Sequence, residues 1–201
     1  MLKRVARFFS YLFHPLIMPT MGLFLLFSYT YLAHLPAEGK RAIYLIVFIT
    51  TCVLPLSIIP IFLYKNLIKN VQMKSRKERM KPLFITAILY YFSYYLLGQL
   101  AVPELINTFM LGIVISITLT FMISYIWRIS AHMVGIGGIT GAILALSIRL
   151  MIDIQLVFML LIFIAGLIGT SRLYLQAHKP SQVYSGFFLG GFTLFIVILF
   201  R

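Results

Sequence analysis

Two histidines, His132 and His178, carry most of the proton-transfer chemistry this chain can offer. His178 follows Ser171-Arg172 after five intervening residues, and Gln182 stands four residues beyond it. His132 closes the tripeptide Ser130-Ala131-His132. An imidazole serves as nucleophile, acid or base near neutral pH. Lys74, Lys81 and Arg172 add cationic hydrogen-bond donors, and Ser130 and Ser171 add neutral ones. Cations for phosphoryl oxygens, together with two histidines, fit phosphoryl transfer, in which positioning and charge neutralisation dominate. No carboxylate cluster is present to hold magnesium. The expected route is therefore metal-free, without a cofactor, through a phosphohistidine.

The elements that must position these residues are membrane spans. Of the 201 residues, 62% are hydrophobic and 10% charged, against about 25% charged in a soluble domain. The expectation is an integral membrane protein. A span needs about 20 apolar residues, and candidates run over 16–33, 42–64, 82–101, a stretch ending at Trp127, 133–150, a stretch ending at Thr170, and 183–200. The fold expected is a single domain, 1–201, forming an all-α membrane bundle of six or seven spans. Residues 1–15 read as a retained interfacial amphipathic helix, with Lys3, Arg4 and Arg7 among Phe8, Phe9, Leu12 and Phe13. An even number of crossings separates the N-terminus, the basic run Lys65–Lys81, Ser130–His132 and Arg172–His178. All of them therefore return to one face.

Seventeen basic residues against four acidic ones give a net charge of +13. This suits anionic lipid head groups or a phosphorylated substrate. Nucleic acid is not expected, because the cations punctuate apolar spans. Cys52 is alone and reads as packing.

Three short stretches resemble the motifs of the type 2 phosphatidic acid phosphatase family, membrane lipid phosphatases related to vanadium haloperoxidases. Lys74 to Lys81-Pro82 is similar to Lys-x6-Arg-Pro, with Lys for Arg. Ile129-Ser130-Ala131-His132 is similar to Pro-Ser-Gly-His. Ser171-Arg172, His178 and Gln182 resemble Ser-Arg-x5-His-x3-Asp. The resemblance covers 74–190. It implies that His178 attacks phosphorus, that His132 protonates the leaving oxygen, and that Lys74, Lys81, Ser130, Ser171 and Arg172 bind phosphoryl oxygens. The substrate implied is a phosphorylated membrane lipid, either a monoester or a pyrophosphate, in a bacterial inner membrane. Gln182 replaces an Asp that would orient and charge the nucleophile, so a binder, carrier or sensor of a phosphorylated lipid is the alternative to an enzyme. Bacterial family members commonly act on the outer side. The positive-inside rule points instead to a cytoplasmic site, and the charge count tips the expectation that way.

Other residues have plainer readings. His14 and His34 match no motif and read as interfacial or loop residues. Arg128 reads as an interfacial neighbour of Trp127. Arg149 and Asp153 stand at helical spacing and read as an ion pair. Gly135, Gly137, Gly138 and Gly141 read as close-packing positions.

Overall fold

The structure, a computed structural model, describes residues 2–68 and 76–201. Among them every regular element is helical. We number the α-helices α1 (Leu2–Leu12), α2 (Met18–Tyr29), α3 (Ala37–Tyr64), α4 (Arg76–Gln99), α5 (Glu104–Ile126), α6 (Ala131–Leu150), α7 (Gln155–Tyr174) and α8 (Pro180–Phe200). Among the described residues five helices, α3, α5, α6, α7 and α8, are long and apolar enough to cross a membrane. This is the pattern of an integral membrane protein.

The expected spans 16–33 and 82–101 take different forms. In place of the first, α2 has 12 residues and rises ~18 Å, short of a hydrocarbon core about 30 Å thick. It stops where Thr30 turns extended, and a 3-10 turn, Tyr31–His34, continues the chain. In place of the second, α4 starts six residues before Pro82, inside the basic run. Arg, Lys, Glu and Met are strong helix formers, and Pro82 costs that helix one N–H donor. Four tyrosines, Tyr90, Tyr91, Tyr94 and Tyr95, lower its apolarity. In α3 the backbone widens into a π-helical segment at Ile49–Val53, just before Pro55. There the Thr50 hydroxyl meets Ser93 of α4 at 2.8 Å.

The closest packing joins α6 to α8. A Cβ at Gly137 or Gly141 would run into the carbonyl oxygens of Phe187 and Gly191, and one at Gly190 into that of Val134. Only hydrogen at these positions lets the two backbones meet. Gly135 and Gly138 face the side chains of Met18 and Leu194 instead. All four expected glycines thus serve packing. The buried core runs through this seam, with Ile136, Ile143, Leu146, Leu194 and Ile198 nearly or fully shielded.

The expected Arg149–Asp153 pair is replaced by backbone partners. Arg149 donates to the Ile198 carbonyl at 2.8 Å, and Asp153 accepts from the Gln155 N–H at 3.2 Å. The chain leaves α6 through a left-handed Met151, which turns Asp153 toward the start of α7.

Candidate functional site: a cationic cluster with three histidines

The end of α7 decides where Arg172 and His178 sit. Gln176 adopts φ 52°, and the Ala177 N–H returns to the Arg172 carbonyl at 3.1 Å. This is a Schellman-type stop, in which a left-handed residue ends the helix. It reverses the chain so that His178 stands over the start of α8. The glycine seam then presses that start against the start of α6, where the Ser130 N–H donates to the Gln182 carbonyl at 3.2 Å. The motif residues of two distant stretches are joined by that bond.

Gln182 settles the chemistry of His178. Its Oε1 accepts from the Lys179 backbone N–H at 3.1 Å. A backbone N–H can only donate, so the amide atom facing it is the oxygen. That oxygen also lies 3.1 Å from Nδ1 of His178. The proton of the neutral ring is therefore on Nδ1, and Nε2 carries the lone pair. Gln182 fixes the tautomer a nucleophile needs, but brings no charge. Burial first, then the guanidiniums of Arg79 and Arg172, push the His178 pKa down to about 4. The ring is neutral at physiological pH.

Three arginines converge here. The charges acting on His178 include those of Arg79, Arg172 and Arg128. Arg79 reaches the Ile129 carbonyl at 3.5 Å. Nε of Arg128, Nε of Arg172 and the hydroxyl of Ser130 are buried with no partner among the described residues. Ser130 itself is fully buried. Surplus donors and gathered positive charge are the features that suit an anion.

A second pair of rings lies beside it. His132 Nε2 donates to the Ser10 carbonyl of α1 at 3.1 Å, which leaves the lone pair on its Nδ1. His14 packs edge-on against His132, with ring centroids 5.5 Å apart. His14 accepts the Leu16 N–H on Nδ1 at 3.3 Å, so its own proton is on Nε2. Burial and then Arg172 lower the His14 pKa below the ordinary histidine value. Arg172 also donates to the Ser10 hydroxyl at 3.4 Å.

His178, Gln182, His132, Ser130 and Arg172 thus lie together. Lys81 is exposed; it stands ~200° around the helix from Arg79, and Arg79 is the residue turned inward. Ser171 gives its hydroxyl proton to the Leu167 carbonyl at 2.7 Å, so that donor is spent within its own helix. Lys74 lies outside the described residues. Arg79, Arg128, Ser10 and His14 belong to the neighbourhood though no motif includes them. Arg79 was legible only once α4 was seen to begin at Arg76. Arg128, two residues before Ser130, could have been found by proximity in sequence. Nothing in the sequence placed Ser10 and His14 against residues more than 100 positions away.

Among the described residues no group of three or more His, Cys, Asp or Glu side chains is placed to hold a metal ion. Comparison of the chain with protein-family models, curated proteins and solved structures gives no match.

Proposed function

We propose that the protein binds the phosphate of a membrane lipid at this cluster and hydrolyses it through a phosphohistidine on His178. In this reading α4 is a further crossing, and the site faces the cytoplasm of a bacterial inner membrane. The observation that carries the proposal is the company of His178: three guanidiniums, a serine hydroxyl with no partner among the described residues, and a carbonyl oxygen that fixes its tautomer. Arg79, Arg128 and Arg172 would neutralise the phosphoryl oxygens. Nε2 of His178 would attack phosphorus and expel the lipid oxygen, which takes a proton from His132. Water would then cleave the N–P bond, releasing phosphate and restoring the ring.

A lipid rather than a soluble ester is favoured by an apolar cavity beginning beside the cluster. Pro15 and Ala131, neighbours of His14 and His132, are among its lining residues, together with Leu83, Phe109, Ile113 and Leu194. A hydrocarbon chain fits such a lining. A specific observation also favours a second reading, that of a non-catalytic binder. Gln182 has no charge to stabilise the imidazolium formed on phosphorylation. In the serine-protease triad, neutralising the corresponding Asp costs about 10⁴-fold in turnover.

Phosphate release from lipid phosphates by purified wild type, His178→Ala and Gln182→Asp separates the two. The enzyme reading expects release by wild type, none by His178→Ala and a gain in Gln182→Asp. Equal release by wild type and His178→Ala rejects it. Binding that persists in His178→Ala without wild-type turnover establishes the second reading.

A further inference from the structure

Helix α1 meets the cluster through Ser10. Around α1 three sectors alternate. Ala6 and Ser10 face the protein, with Phe13 just beyond the helix on the same side. Val5, Phe8 and Leu12 are exposed and apolar, Phe8 at 60% and Leu12 at 49%. Lys3, Arg4 and Arg7 are exposed and cationic. The two outward sectors suit the acyl boundary and the anionic head groups of a membrane surface. The inward sector ends on Ser10, whose two oxygens meet two donors of the site: the carbonyl takes Nε2 of His132, and the hydroxyl takes Arg172. Neighbouring donors, Nε of Arg172 and the Ser130 hydroxyl, have no partner among the described residues. Ser10 thus occupies donors that a phosphoryl group would use.

Resting on the phosphate-binding reading above, we propose that α1 is a displaceable cover of the anion site, with Ser10 standing in for ligand oxygens. In this closed state the only N–H of neutral His132 is spent on α1, so the ring has no proton to offer a leaving group. Moving α1 aside frees that N–H and Arg172 together. The exposed Val5–Phe8–Leu12 flank keeps the displaced helix at the membrane surface. Ligand binding and closure therefore compete.

The test is inorganic phosphate binding to the full chain in lipid nanodiscs, by wild type, Ser10→Ala and a variant lacking residues 2–12. Releasing one neutral acceptor from Arg172 raises phosphate affinity roughly two- to tenfold in Ser10→Ala, and the deletion raises it further. A second readout does not depend on the deletion folding. In a Cys52→Ala background, Ala6→Cys lies on the buried, protein-facing side of α1 and reacts slowly with a maleimide. Phosphate speeds that reaction several-fold. If wild type binds phosphate while Ser10→Ala gains nothing and Ala6→Cys labelling ignores phosphate, the cover is wrong and the site stands. If none of the variants binds phosphate, both the site and its cover fall.

Discussion

The two ends of the bundle use the same residue type in opposite ways. At the Asp153 end, polar side chains meet backbone partners. Arg149 holds the Ile198 carbonyl at 2.8 Å, Asp153 holds the Gln155 N–H, Ser147 donates to the Ile152 carbonyl at 2.9 Å, and Lys40 reaches the Ala33 carbonyl. These contacts close helix ends. At the His178 end, Arg79, Arg128 and Arg172 gather around one neutral imidazole while buried donors stay unpartnered among the described residues. Gathered like charges destabilise a fold, and buried donors without partners add to that cost. An arginine whose donors are spent on carbonyls is structural. One whose donors are left over, such as Arg172 at Nε, is in the proposed reading free to meet a ligand.

The largest effect on this contrast is expected from breaking the seam that builds the cationic end. Gly190→Val drives a side chain into the Val134 carbonyl, where backbone has to move. Overpacking costs about 1–3 kcal/mol, and more where backbone has to give way. Thermal unfolding in detergent should fall sharply, and phosphate binding should be lost with it. Next comes a matched pair of arginine deletions. Arg172→Ala should lose roughly 10- to 100-fold in phosphate affinity, since a charged hydrogen bond is worth about 1.5–3 kcal/mol, while unfolding temperature holds or rises. Arg149→Ala should do the reverse, leaving the Ile198 carbonyl unpaired at about 1–3 kcal/mol of stability with affinity unchanged. Equal behaviour of the two variants would erase the distinction between the ends.

A last effect is a pH slope. His178 has a pKa of about 4 in the fold, below the ordinary value of about 6.5 in an unfolded chain. Between those values the unfolded chain holds more protons, so stability falls as pH drops through about 6.5 and levels off below about 4. His178→Gln should flatten part of that slope in unfolding measured across this range. An unchanged slope would mean that His178 is not the buried neutral ring described here.

Residues 131–190 were the most legible part of the chain. Long apolar runs and short polar breaks set α6, α7 and α8 there, and Ser130, His132, Arg172, His178 and Gln182 fell at the breaks. The N-terminal third was less so. An apolar run over 16–33 reads as one span, yet Thr30 ends α2 by accepting the Leu32 N–H and starting a 3-10 turn. Periodicity does not register such a stop. The run 76–81 reads as loop because Pro82 follows it, whereas the helix begins at Arg76 and carries Pro82 within it. That difference of one turn and a half exchanged Lys81 for Arg79 at the cluster. Ser171 matched a motif, but its hydroxyl found the Leu167 carbonyl first, because in an apolar helix the nearest acceptor is its own backbone.

By itself the sequence determined that the chain is helical and suited to a membrane, because apolar length and scarce charge leave few other solutions. It also placed Ser130, His132, Arg172 and His178 at polar breaks between apolar runs, where the long helices begin and end. The tautomer of His178, the choice of Arg79 over Lys81 and the placing of Ser10 across Arg172 and His132 were decided only by tertiary structure. Each depends on a partner atom from another turn or another helix. Hydrogen bonds are set by distances of a few tenths of an ångström, which spacing along a chain does not encode.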